Sequence, residues 1–221
     1  MKHNRILAAL LLLLAAVLPC AAQNLLIKAG GGLSSRYGSD RAQGAYKIGL
    51  GYEVEFDQHW TLTPQLLVYG KGWEDPDRRV PVVNDDGTPM YDDEGNRAYS
   101  TMNRTTSACY VELPVVLGYY VRLAPSRYLL FAAGPYAAVG VGGKEDTRGD
   151  GSRIGAEKLH YSRHTFGRAG VRRFDAGLQT FAGYQFASGL TAGVEADWGM
   201  VRTRRGGARN LSGIISLSYK F

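Results

Sequence analysis

Ionisable residues placed at every second position of otherwise apolar or small-residue segments are the chemically unusual feature of this chain. Four lysines, Lys28, Lys47, Lys71 and Lys220, and six acids, Glu53, Glu55, Glu112, Asp175, Glu195 and Asp197, share this placement. Alternate residues of a strand lie on one face, so such groups would meet across any interior that the strands enclose. Charged groups withdrawn from water must pair, bind water or change ionisation, because an unpaired buried charge is too costly to persist. One outcome is a gated ion or proton path. The other, favoured by the usual satisfaction of buried polar groups, is a static network that plugs and rigidifies the interior.

Catalytic and metal chemistry find less support. A serine hydrolase needs Ser, His and a carboxylate converging on one point. Beyond residue 22 the histidines are His59, His160 and His164, and nothing places Ser100, Ser107 or Ser162 beside them. His160 and His164 have a spacing that could share zinc on a helix, but no helix and no third ligand are indicated. The acids between Asn84 and Asn96 lack the alternating ligands of a calcium loop. The expectation is a protein that is not an enzyme and has no metal and no cofactor. Arg148-Gly149-Asp150 matches an adhesion tripeptide, a match short enough to arise by chance.

The elements that would position the charges are strands. From Tyr46 to Asp57, Tyr46, Ile48, Leu50, Tyr52, Val54 and Phe56 share one face, while Lys47, Gly49, Gly51, Glu53, Glu55 and Asp57 share the other. Alternation sustained over this length marks a strand with one apolar face. Seven more segments read alike: Leu25–Ser35, Trp60–Trp73, Thr106–Val121, Tyr128–Gly143, Phe174–Phe186, Leu190–Arg202 and Arg209–Phe221. Each can cross a bilayer when tilted, which takes about 9–11 residues. Short connections (57–59, 122–127, 187–189) alternate with 36–45, 74–105, 144–173 and the brief 203–208. That alternation, with an even strand number, fits an eight-stranded antiparallel up-and-down transmembrane β-barrel. A soluble barrel or sandwich would alternate as well, with its apolar face turned inward.

Aromatic placement favours the membrane. Phe56, Trp60, Tyr119, Tyr184, Phe186, Tyr219 and Phe221 cluster near one set of strand ends, and Tyr46, Phe174 and Trp198 near the other. Two aromatic rows flanking an aliphatic band are the girdles of a lipid–water boundary. The last strand ends on Phe221, the kind of terminal aromatic offered as an insertion signal to barrel-insertion machinery. At the other end, Lys2 and Arg5 precede an apolar run of 13 residues, Ile6 to Leu18, and then Pro19-Cys20-Ala21-Ala22. This pattern describes a signal peptide, residues 1–22, removed to leave a barrel domain over 23–221. Lipid attachment at Cys20 is the lesser reading, because Pro19 fits that processing poorly. Removing Lys2 and Arg5 takes the formal charge from +6 to +4, too mild to suggest nucleic acid. Cys109 is then the single cysteine and no internal disulfide can form. Pro64, Pro114 and Pro135 fall inside strands, where each calls for a bulge, an unpaired carbonyl or an interruption.

Several segments resemble the PorT-type outer-membrane β-barrel family. They are Pro64-Gln-Leu-Leu-Val-Tyr-Gly-Lys-Gly72, Tyr110-Val-Glu-Leu-Pro-Val115, Ala133-Gly-Pro-Tyr136, Phe174-Asp-Ala-Gly-Leu178 and Trp198-Gly-Met200. They occur in order across the whole mature chain. Gln65 stands where that family often has Glu. The resemblance implies fold and location, the outer membrane of a Gram-negative bacterium, and suggests an accessory role in secretion or surface assembly. Function itself must come from the site.

An eight-stranded lumen is just wide enough for side chains to fill, so open diffusion is not expected. The connections carry opposite charge: 74–105 holds eight acids and four bases, 144–173 eight bases and four acids. These two loops could clasp each other over the barrel mouth, or be merely solvated. Arg202, Arg204, Arg205 and Arg209 suit lipopolysaccharide phosphates, for which guanidinium geometry is apt. The expected partners are therefore outer-membrane lipid, lipopolysaccharide, the insertion machinery and an envelope protein. The reading is a small closed envelope barrel; the alternatives are a secretion accessory, an adhesin, a narrow channel or a lipid A-modifying enzyme.

Overall fold

Strands with one apolar and one polar face have two ways to close, and they differ in which face is outside. The computed structural model describes residues 24–38, 41–84, 86–149, 160–167, 170–204 and 207–221, so the segment read as a signal peptide lies outside it. Among the described residues eleven strands are present: β1 Leu25–Arg36, β2 Arg41–Tyr52, β3 Val54–Glu55, β4 Trp60–Pro81, β5 Tyr99–Ala124, β6 Arg127–Gly142, β7 Lys144–Gly149, β8 His160–His164, β9 Phe174–Gln185, β10 Leu190–Arg202 and β11 Arg209–Lys220. Eight of them form an antiparallel ring, β1-β2-β4-β5-β6-β9-β10-β11, closed where β11 pairs β1 from Leu26↔Lys220 to Arg36↔Asn210. Closure leaves the ring without an unpaired edge. No α-helix occurs among the described residues.

The apolar face is outside. Ile48, Leu50, Leu113, Val139, Val194 and Ile215 are all exposed, whereas Lys47, Lys71, Glu112 and Asp197 are buried within. A polar interior inside an apolar band is the arrangement hydrocarbon requires. Strand parity alone could not choose between this and the soluble alternative. Aromatic residues flank the band as the sequence suggested. Trp60 stacks obliquely on Tyr119 at 4.8 Å, and Tyr219 meets Phe221 edge-on at 5.1 Å. Glycine permits the close approach of neighbouring strands: a Cβ at Gly49 would lie 2.1 Å from the Leu66 carbonyl oxygen.

Three expectations need correction. The strand expected over Tyr46–Asp57 begins earlier, at Arg41, is interrupted at Glu53 and resumes as β3 in the same register on β4, from Gly51↔Gln65 to Val54↔Leu62. The prolines cause no bulge: pairing passes from Pro64↔Val115 to Leu67↔Glu112, and from Pro114↔Tyr136 to Leu117↔Ala133, without a change of register. The ladder simply skips the pairs between, as residues lacking a donor allow. The third concerns the outer loops. β4 and β5 continue past the ring to Pro81 and Tyr99, bulging between Asp75 and Arg78 where Pro76 lacks an N–H. The hairpin foreseen from Asn84–Gly87 and Asp93–Asn96 is thus present, and a second one, β7–β8, packs on the outer end of β5 through Met102↔Gly149 to Thr106↔Glu145. Nothing in the sequence pattern had indicated that second hairpin.

At the short turn before β4, Asp57 Oδ1 accepts from the His59 and Trp60 N–H groups at 2.7 and 2.8 Å. These two donors hold the Asp57 carboxyl below its ordinary range.

Candidate functional site

The strands bring the charged residues together in the middle of the lumen. Lys47, from β2, reaches Asp197 Oδ2 at 2.8 Å, Glu195 Oε1 at 2.9 Å and Glu112 Oε1 at 3.2 Å. Lys71, from β4, lies 3.2 Å from both Glu112 Oε2 and Asp175 Oδ2. Lys28 pairs with Glu195, which also accepts from Gln179 at 3.1 Å. Asn210 donates to Asp175 at 2.8 Å. Three ammonium groups thus face four carboxylates, all of them at most 6% exposed. Charges held this far from water persist only when paired.

Aromatic rings complete the packing. The Tyr69 ring lies between the two central ammonium groups, 4.3 Å from Lys47 and 4.5 Å from Lys71, and its hydroxyl bonds Ser212. Lys71 also sits 4.8 Å from the centre of the Tyr136 ring. The negative ring faces add attraction for a desolvated cation. On the outer side Trp73, Ala108, Tyr110, Tyr136, Ala138 and Val171 form an apolar stopper, with Phe166 packed against it. Toward the turn side a small cavity of about 50 Å³ remains, lined among others by Lys28, Gln65, Gln179, Tyr120 and Lys220.

Not all ten groups belong to this centre. Glu53 lies at the turn-side mouth, where it accepts from Lys220 at 2.8 Å and Tyr120 at 2.7 Å. Glu55, expected in the interior, instead sits at that rim with its side chain 54% exposed, 3.1 Å from Lys220. β3 keeps it at the inward parity, opposite the buried Thr61, but it stands at the mouth of the barrel, where the side chain meets water.

The outer rim holds a second charged constellation that sequence reasoning missed. Glu145, on β7, is fully buried and meets Arg163 Nε at 2.6 Å, Arg104 at 3.5 Å and the Arg204 guanidinium. Arg36 pairs with Asp75 and lies 5.0 Å over the Trp73 ring. The 74–105 and 144–173 connections do clasp, through the β5–β7 ladder, and Glu145 ties Arg204 of the 203–208 connection to them. Arg204 is therefore turned inward, with burial of its guanidinium pulling its pKa below the ordinary arginine value. Arg202 and Arg209 are direct cross-strand partners, both exposed on the outward face, and no carboxylate pairs with either among the described residues. Arg205 and Asp150 lie outside the described residues.

The remaining sequence candidates are scattered. His160 and His164 stand on strand β8, where four residues span about 13 Å of backbone, too far for one shared metal. His59 is at the opposite end of the barrel from Ser100, Ser107 and Ser162; Ser107 is instead bonded to the Lys144 main chain. Among the described residues no group of three His, Cys, Asp or Glu residues could hold a metal ion.

No curated protein matches the chain. Among solved structures, that of Ail, the attachment invasion locus protein of Yersinia pestis, overlaps 90% of this chain and 99% of its own, at 13% identity and a TM-score of 0.39. A second Ail structure, in complex with the heparin analogue sucrose octasulfate, overlaps 89% and 95% at 11% identity and a TM-score of 0.37. A Rh. blastica porin mutant overlaps 89% and 99% at 11% identity, with a TM-score of 0.19. Overlaps this loose carry no argument about function. Sequence similarity is more direct: residues 22–202 match the outer membrane protein beta-barrel domain. With its apolar exterior, polar plugged interior and eight-stranded closure, this chain belongs to that family of outer-membrane β-barrel proteins.

Proposed function

We propose that this protein is a sealed, non-enzymatic barrel with a structural role in the envelope, its outer surface touching lipopolysaccharide or another envelope component. The observation that carries the reading is the filled mid-lumen: Lys47, Lys71, Glu112 and Asp197 are at most 2% exposed. An eight-stranded ring has little interior to spare, and a network packed this densely leaves no path for solutes. Purified protein in planar bilayers is expected to give no unitary conductance above the lipid background. Steady, discrete current steps would overturn the proposal. Contact with lipopolysaccharide is supported by Arg202 and Arg209, which face outward and have no carboxylate partner among the described residues. Export with removal of residues 1–22, then delivery to the insertion machinery, completes the reading.

A second reading is an accessory to secretion or surface assembly, of the kind the PorT resemblance implies. It is supported by the β4–β5 hairpin, which carries the exposed Tyr91 and Tyr99 beyond the ring. Cross-linking in intact cells separates the two: stable secretion partners favour the accessory, lipid alone the structural barrel.

A further inference from the structure

We infer that Arg202 and Arg209 form a phosphate clamp at headgroup depth, built to hold a phosphate monoester of the outer-leaflet glycolipid. This rests on the envelope reading above and names the group recognised. The two arginines face each other across the β10–β11 ladder, an arrangement in which like charges repel. Nothing among the described residues relieves that repulsion, in contrast to Arg204, which is committed to Glu145. Side chains of directly opposed residues start about 5 Å apart, a separation that one tetrahedral anion can bridge.

Depth argues for a lipid source. On β10 the outward row runs Val194, Trp198, Met200 and Arg202, all exposed, so the arginine stands just beyond the aromatic girdle. On β11, Arg209 is ten residues before Tyr219 of the opposite girdle. With a rise of about 3.3 Å per residue and a tilt of about 40°, that places it roughly 25 Å away, the height of the apolar band. Both guanidinium groups thus emerge where hydrocarbon gives way to headgroups. Between them and the following loop lies an open recess of about 440 Å³, lined by Tyr37, Arg202, Gly207, Ala208 and Arg209. Among the described residues no acidic side chain lines the recess. Tyr37 is anchored there by its N–H bond to the Arg209 carbonyl, 2.9 Å away, and is half exposed.

The test compares binding of lipid A, of the same lipid stripped of its phosphates, and of inorganic phosphate by the detergent-solubilised barrel. The parent protein is expected to bind the phosphorylated lipid at least tenfold more tightly than the stripped one. In R202Q/R209Q that preference should vanish, while R202K/R209K keeps part of it; retained heat-modifiable gel mobility confirms that all three are folded. Equal binding of both lipids by the parent, or an unchanged preference in R202Q/R209Q, overturns the clamp and leaves glycolipid contact standing. Absence of binding by either lipid overturns both readings. Inorganic phosphate that binds as tightly as lipid A overturns the lipid source.

Discussion

Replacing Lys47 with methionine is expected to cost the folded barrel about 3–5 kcal/mol, the usual penalty for stripping one partner from a buried ionic cluster. Lys47 contacts three carboxylates, at 2.8, 2.9 and 3.2 Å, none of which can reach bulk water. Methionine fills nearly the same volume, so the loss reports charge rather than packing. The central cluster would go from three cations against four anions to two against four. A lower unfolding midpoint in denaturant, read by gel mobility in lipid vesicles, is the measurement. Asp197→Asn combined with Lys47→Met should recover part of the loss, with a coupling of about 1–3 kcal/mol. A Lys47→Met barrel within about 1 kcal/mol of the parent would show that packing, not ion pairing, holds the lumen shut.

Glu145→Leu should open the outer cap without disturbing the ring. Glu145 is the shared anion for Arg104, Arg163 and Arg204, and its side chain is fully buried. Its removal leaves three crowded guanidinium groups with only Asp75, 3.9 Å from Arg104 and already paired with Arg36, to offset them, which favours separation of β7–β8 from the 203–208 connection. Stability is not uniform across a fold, so such an opening can stay local. Proteolysis and amide exchange over β7 and β8 are expected to quicken by one to two orders of magnitude, matching about 1.4–2.7 kcal/mol of local stability. Arg204→Gln should produce a smaller effect of the same kind, because Arg163 and Arg104 remain. Unchanged protection of β7–β8 in Glu145→Leu would mean that the β5–β7 ladder alone fastens the hairpin.

The two charged centres differ in how far the residues foretold them. Lys47, Lys71, Glu112, Asp175, Glu195 and Asp197 could be assigned to one interior because they sit at the polar parity of long strands, where each face is settled by alternation. Tyr69 and Trp73 share the parity of Lys71 and could have been placed with it, but tyrosine and tryptophan were read only as girdle residues. The Glu145 centre offered no such handle. Its members lie on β5, β7, β8 and a loop, and the short strands β7 and β8 carry no sustained alternation. Glu55 differed for another reason: alternation fixes a face but not a depth, and although β3 holds Glu55 at the inward parity opposite Thr61, it stands at the water-filled rim.

The residues by themselves determined the eight strands of the ring and the two faces of each, because period-2 patterning and turn chemistry are local properties of the chain. They also determined that the charges would share one face of the sheet, since the same parity recurs in strand after strand. Which face met hydrocarbon was decided only by closure of the ring, for parity is identical in a soluble barrel and a membrane one. Tertiary structure likewise chose the partners. Lys47 and Asp197 are separated by 150 positions, and only the order of strands around the ring brings them within 2.8 Å. The same holds at the rim, where Arg202 and Arg204 are two residues apart yet one faces outward and the other meets a buried carboxylate.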